Sequence, residues 1–245
     1  MTLILLKISA KSFYNAKFCR LKLVSCKFCV QKQSDMNFLW QHPFNCIVSA
    51  PTKSGKTEFV KKLAIFARDL IEPEPKKIIW CYTEWQNTYE DLLSKINTVV
   101  FVEGLPNFEE LKNDKNTPKL LIIDDMMCEI SKDVRLTDLF TKYSHHWNIS
   151  IINIVQNAFY SGIRTSRINS QYLVLMKNPS DKLQIQTLAK QLFPGSKHFI
   201  EAFEDATSKP YGYLLIDLTQ LSPDNMRLRT CIFPDDQYNY VYVPK

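Results

Sequence analysis

Glycine is scarce in this chain, with five in 245 residues. Together with only twelve prolines, that excludes collagen-like and low-complexity architectures. Long apolar runs are missing as well. No stretch approaches the ~18–20 residues that a membrane-crossing helix needs, so no membrane association is expected. "LILL" at 3–6 is shorter than the ~7–15 residue apolar centre of a secretion signal, and the chain is expected inside the cell. Cysteine is present but unorganised. Seven of them, at 19, 26, 29, 46, 81, 128 and 231, form an odd and scattered set, which argues against a disulfide framework and suits a reducing compartment. Cys26-Lys-Phe-Cys29 has no second ligand pair beside it, which argues against zinc.

A basic excess is missing from the body of the chain. The net charge of +6 lies in residues 1–35, where Lys7, Lys11, Lys17, Arg20, Lys22, Lys27 and Lys32 face one acid, Asp35. The remainder holds 24 basic and 24 acidic residues. The overall charge therefore carries no message about nucleic acid, and any DNA-facing surface must come from local clustering. Residues 1–37 read as a basic, poorly ordered extension outside the fold, in preference to a transit peptide or a nucleic-acid arm.

What is there is an alternation of strand and helix from Phe38 onward. "FNCIVS" (44–49), "KIIWCY" (77–82), "TVVFVEG" (98–104), "KLLIIDDMM" (119–127), "NISIINIVQN" (148–157) and "QYLVLMK" (171–177) read as strands, nearly continuous in apolar residues. Between them "TEFVKKLAIFARDL" (57–70), "YEDLLSKI" (89–96), "NFEELKND" (107–114) and "DVRLTDLFTKYSHH" (133–146) have helical spacing. A further helix is expected over 181–193, and "YGYLLIDL" and "RLRTCIFP" read as a late hairpin. Continuous apolar strands separated by helices imply an α/β fold whose mostly parallel sheet is covered on both faces. One domain over 38–235 is the economical reading, with 236–245 as a tail.

The chemistry gathers at strand ends. Ala50-Pro51-Thr52-Lys53-Ser54-Gly55-Lys56-Thr57 matches GxxxxGK[ST] except at its first glycine. Such a loop turns successive N–H groups, and the N-terminus of the next helix, toward phosphate oxygens. Gly55 allows close approach, Lys56 neutralises the β- and γ-phosphates of ATP, and Thr57 offers its hydroxyl to Mg²⁺. Alanine at position 50 is tolerable unless that residue needs positive φ. Asp124 and Asp125 end an apolar strand, where Asp124 is the candidate Mg²⁺ carboxylate. Asp125 can polarise the attacking water only if the backbone turns there. Gln156 tips the next strand and can reach the γ-phosphate or the water. Arg164 and Arg167 are candidates for an arginine finger, with a solvated helix face as the plainer reading. His145-His146 fits a helix C-terminus, where it complements the dipole.

Taken together, "APTKSGKTEF", "KLLIIDDMM", "SHHWNISIINIVQN", "NSQYLVLMKNPSDK", "LFPGSK" and "FEDATSKPYGYLLIDLT" resemble the poxvirus-type genome-packaging ATPases of the FtsK–HerA P-loop group. The likeness is greatest to the forms carried by Polinton/Maverick elements and adintovirus-like viruses, and it covers about 38–235. Relatives commonly read GPTGSGKT where this chain has APTKSGKT, and Arg after Asn-Pro where it has Ser180. The resemblance implies a RecA-like core with a strand added between the loop strand and the Asp-Asp strand, for which 77–82 and 98–104 are the candidates. It also implies a ring, taken as a hexamer, that uses ATP to move double-stranded DNA into a capsid. Capsid proteins would then be partners, and the site of virion assembly, in host nucleus or cytoplasm, the location. Residue by residue it implies that Lys56 and Thr57 take phosphate and Mg²⁺, Asp124 the metal and Asp125 the lytic water, with Gln156 sensing the γ-phosphate. The alternatives are a P-loop kinase of a small acceptor and a degenerate nucleotide-binding assembly protein without hydrolysis.

Overall fold

The computed structural model describes residues 4–9, 38–126, 133–159, 163–195 and 197–244. Cys26 and Cys29, and nearly all of the basic extension, lie outside the described residues. The chain divides into two compact units, residues 39–176 and residues 1–38 with 177–245.

In chain order the strands are β1 (Ile4–Ser9), β2 (Trp40–Gln41), β3 (Asn45–Ser49), β4 (Ile71–Glu72), β5 (Lys77–Tyr82), β6 (Val99–Glu103), β7 (Lys119–Asp124), β8 (Ile149–Val155), β9 (Tyr172–Met176), β10 (Tyr213–Asp217), β11 (Leu228–Thr230) and β12 (Tyr238–Val243). Within 39–176, β9, β3, β8, β7, β5 and β6 lie side by side in that order, every neighbouring pair parallel. β3, β7, β8 and β9 are buried at every residue. That is why these segments read as unbroken apolar runs rather than as alternating ones. The short β2 and β4 pair separately, also in parallel.

The strand order corrects one expectation. The strand inserted between β3 and β7 is β8, paired with both, and not 77–82 or 98–104, which lie beyond β7 as β5 and β6. Chain order does not give spatial order in a doubly wound sheet, because the crossovers skip strands.

The helices of this unit form where the sequence provides starts. α1 spans Lys56–Ile65 and α2 Ala67–Leu70. α3 spans Thr88–Leu93. α4 (Phe108–Asn113) opens on Asn107, whose side chain accepts from the N–H groups of Glu109 and Glu110, a standard cap. The segment read as one helix over 133–146 is capped by Asp133 and is α-helical over Val134–Asp138 (α5). It widens to a π-turn over Leu139–Tyr143 and closes as α6, Ser144–His146. At the widened turn the Phe140 carbonyl accepts from Asn45 Nδ2 at 2.8 Å. The same amide nitrogen reaches the Asn169 carbonyl at 3.2 Å, just past α7 (Arg164–Ile168). One buried side chain at the base of β3 thus ties down two helical segments.

In the other unit β1, β12, β11 and β10 lie in that order, all antiparallel. The late hairpin is there, with Leu215 opposite Arg229. Residues 236–245, read as a tail, contain β12. α8 (Lys182–Leu192) is capped by Asp181, and α9 (His198–Ala206) buries Phe199, Ala202, Phe203 and Ala206. Among the described residues no helix is long and apolar enough to cross a membrane.

The Asn45 amide carries the fold prediction. Removing it takes the side-chain donor from two carbonyls, the contact at Phe140 being buried, and a buried acceptor that loses its partner costs about 1–3 kcal/mol. Asn45→Ala is expected to lower the unfolding free energy by that amount, read as a lower urea midpoint at an unchanged m-value; an unchanged midpoint would contradict it.

Candidate nucleotide-binding site

The backbone turns left-handed at Gly55 (φ 95°, ψ 14°), and α1 begins at the next residue. An L side chain pays ~1–2 kcal/mol there and glycine nothing. Phe59 N–H donates to the Gly55 carbonyl at 2.9 Å and closes the first turn. The N–H groups at the start of a helix have no intrahelical acceptor and carry the positive end of its dipole. This is the element that an anionic phosphate uses.

The loop before it holds itself together. Ser54 Oγ donates to the Pro51 carbonyl at 2.6 Å. Lys56, 9% exposed, folds its ammonium back onto the carbonyls of Ala50 (2.7 Å) and Pro51 (2.9 Å). Ala50 N–H donates to Val155 at 3.2 Å, extending the ladder between β3 and β8 into the loop. Positive φ falls at Lys53 (64°) and Gly55, not at Ala50. The missing first glycine is therefore harmless to the backbone, whereas Lys53 sits where glycine would be relaxed. Lys53 and Thr52 are exposed, and Thr57 is half-buried.

β7 ends at Asp124, and Asp125 adopts φ 53°. The backbone does turn between the two carboxylates, which is the condition for Asp125 to join the site. Gln156, on the tip of β8, donates its Nε2 to both Asp125 oxygens, at 3.2 and 3.1 Å. Asp124 is 4% exposed and accepts at Oδ2 from the Tyr89 hydroxyl at 2.9 Å. Burial pushes the Asp124 carboxyl up, against the Tyr89 hydrogen bond that pulls it down. Burial likewise pushes the Lys56 ammonium down, while Asp125 and Asp124 pull it up.

The structure thus assembles Lys56, Thr57, Asp124, Asp125 and Gln156 at the C-terminal ends of three adjacent strands. Arg164 opens α7, is exposed and makes no hydrogen bond or ion pair among the described residues. Arg167 lies over the Phe159 ring at 4.5 Å, so that aromatic face holds its guanidinium. His145 and His146 stand in the last turn of α6. Sequence reasoning missed Tyr89. The recurrence of Tyr82, Trp85 and Tyr89 predicts a ring cluster, and nothing in it predicts the carboxylate.

A hydroxyl and a carboxylate are hard oxygen donors of the kind Mg²⁺ takes, with phosphate oxygens and waters completing its octahedron. Thr57 and Asp124 are donors of that kind, and Asp124 Oδ2 is engaged by Tyr89. Among the described residues no group of three or more His, Cys, Asp or Glu gathers, so a cation here would draw on one protein carboxylate, the Thr57 hydroxyl and phosphate oxygens.

No protein-family model and no curated protein sequence matches the chain. Solved structures do. The genome packaging NTPase B204 of Sulfolobus turreted icosahedral virus 2, in complex with AMPPCP, has a TM-score of 0.50 at 16% identity, over 73% of this chain and 94% of that one. The cytoplasmic domain of the Type VII secretion ATPase EccC of Thermomonospora curvata has a TM-score of 0.50 at 10% identity, over 81% of this chain and 25% of that one. At such identities the likeness is one of fold. The fold is that of the RecA-like P-loop NTPases, an α/β core with a mostly parallel sheet and antiparallel strands toward the C-terminus.

Lys53→Gly follows from the loop geometry. Relief of ~1–2 kcal/mol of left-handed strain, less the ~0.5–1 kcal/mol that glycine's unfolded freedom costs, is expected to stabilise the protein by about 0.5–1 kcal/mol. Thermal or urea unfolding reads this out, and destabilisation would contradict it.

Proposed function

We propose that the chain is a Mg²⁺-dependent ATPase of the FtsK–HerA group that translocates double-stranded DNA and packages a viral or virus-like genome. The observation that carries the catalytic part is the convergence of the Lys56–Thr57 loop, the Asp124–Asp125 pair and Gln156 on neighbouring strand ends, with the Gln156 amide seated on Asp125. The DNA-packaging part is supported by the sequence resemblance, and by the shared fold with a protein described as a genome packaging NTPase.

In this reading the loop N–H groups and Lys56 take the phosphates of ATP, Lys56 exchanging two carbonyls for phosphate oxygens. Thr57 and Asp124 hold Mg²⁺, which supplies charge neutralisation on the phosphates. Asp125 accepts the proton of the attacking water. Gln156 turns its amide from Asp125 to the γ-phosphate, which frees the carboxylate when, and only when, a triphosphate is present. Arg164, exposed at the start of α7, is the candidate finger, acting in cis or toward a neighbouring subunit. The working form is a ring, taken as a hexamer. Its partners are double-stranded DNA and capsid proteins at the intracellular site of virion assembly.

The test is phosphate release from Mg-ATP by the full chain, with and without linear double-stranded DNA. DNA-stimulated release is expected, with Lys56→Ala reducing it to background. ADP formation that depends on an added small acceptor instead of DNA, with the γ-phosphoryl group recovered on that acceptor, would identify a kinase. Tight nucleotide binding without release would identify an assembly protein. Asp125→Asn is expected to leave binding of a labelled ATP analogue within a few-fold while lowering turnover by about 10²-fold or more. Loss of binding would move Asp125 out of the catalytic role.

A further inference from the structure

The geometry points to Tyr89 as the residue that positions the metal-holding carboxylate, donating its hydroxyl to Asp124 Oδ2 so that Oδ1 is presented to Mg²⁺. This rests on the reading of Asp124 given above and adds a residue that neither the loop motif nor the strand-end acids imply.

Three observations carry it. First, the contact is direct and buried. Tyr89 is 0% exposed and Asp124 4%, and the hydroxyl lies 2.9 Å from Oδ2. A carboxylate this far from water needs a donor. Lys56 gives its ammonium to Ala50 and Pro51, and the Trp80 indole, which also favours the Asp124 carboxylate, makes no hydrogen bond of full geometry among the described residues. Second, the donor is immobilised by rings from other elements. Trp80 of β5 lies 5.5 Å from Tyr89 between centroids, Tyr82 at 5.7 Å, Trp85 at 5.4 Å and Phe101 of β6 at 5.0 Å. Four neighbours fix the plane of the phenol, so its hydroxyl is delivered to one place. Third, the acceptor is fixed on its backbone side as well. Asp124 is the last ladder residue of β7, opposite Ile154 of β8, and the chain leaves the strand at Asp125. With the backbone set by the sheet and one oxygen set by the phenol, the remaining oxygen has one orientation. Groups that orient a metal-binding side chain in this way change metal affinity by about 10–100-fold when removed.

Tyr89→Phe deletes the hydroxyl and keeps the ring in its cage. The probe is a non-hydrolysable fluorescent ATP analogue, titrated with Mg²⁺ against the full chain, so that the readout is binding and not turnover. The expected result is a rise of about tenfold in the Mg²⁺ concentration for half-maximal binding, with analogue affinity in EDTA within about twofold of wild type. Phe101→Leu keeps the hydroxyl and loosens the cage, and is expected to shift the Mg²⁺ requirement in the same direction by a smaller factor. It also serves if Tyr89→Phe folds poorly. In an Asp124→Asn background the Tyr89 change is expected to add nothing, because its effect runs through that carboxylate. An unchanged Mg²⁺ requirement in both variants, or full additivity with Asp124→Asn, overturns the assignment and leaves Tyr89 a packing residue. If the wild type itself shows no Mg²⁺-dependent binding, the nucleotide-site reading falls, and this inference falls with it.

Discussion

β8 is hydrogen-bonded along both edges, to β3 through Asn45–Ser49 and to β7 through Lys119–Asp124, and the candidate site hangs from that double ladder. Neighbouring strands lie ~4.8 Å apart. One intervening strand therefore separates the loop strand from the carboxylate strand by about 10 Å. That gap suits a phosphate tail and a hydrated cation between Lys56 and Thr57 on one side and Asp124 on the other. Gln156 stands at the tip of the intervening strand, in the middle of the gap. The position follows from topology alone, before any side-chain detail.

Each charged group of the site is held by a neutral partner rather than by another charge. Lys56 rests on two carbonyls, Asp125 on an amide and Asp124 on a phenol. No ion pair forms among these three residues. Had Lys56 closed on Asp124, entry of a phosphate would have to break a buried salt bridge, a loss of about 3–5 kcal/mol when one partner is withdrawn. Exchanging a neutral partner for a charged phosphate oxygen is far easier, because an ordinary hydrogen bond is worth about 0.5–1.5 kcal/mol net and a charge-assisted one about twice that. The arrangement keeps the ionised groups in place while leaving them ready to change partners.

Much of this was legible in the order of residues, and the exceptions have physical reasons. β5 coincides with "KIIWCY", and β7, β8 and β9 fall inside the apolar runs, because a strand covered on both faces cannot hide its composition. The loop, the two acids and the glutamine were legible because each ends such a run. α9 was not legible. It opens at Lys197 with no side-chain cap, directly after Pro194-Gly195, which reads as a stop. β12, "YNYVYV", was read as tail because its tyrosines mix polar and apolar character and acids precede it. The place of β8 between β3 and β7 was misjudged because pairing across crossovers is not written in sequence order. Tyr89 and Asp124 stand 35 residues apart, and a single contact at that separation leaves no local trace.

The scarcity of glycine bears on the same loop. Left-handed backbone occurs at Asp125 and Asn148, residue types that tolerate it, but also at Lys53, Tyr211 and Cys231, which do so at a cost. Two of these left-handed positions, Lys53 and Asp125, flank the candidate site, and Lys53 is the strained one. A strained residue persists only where its surroundings over-determine it, so the loop cannot owe its shape to its own preferences. Its shape comes from both sides. α1 fixes the chain after Gly55, and the Ala50 N–H bond to Val155 fixes it before Pro51. A loop with glycine at position 53 would be locally content and would need neither anchor to the same degree. In this chain, the geometry that would meet phosphate is set by the sheet through β8, the strand that also places Gln156.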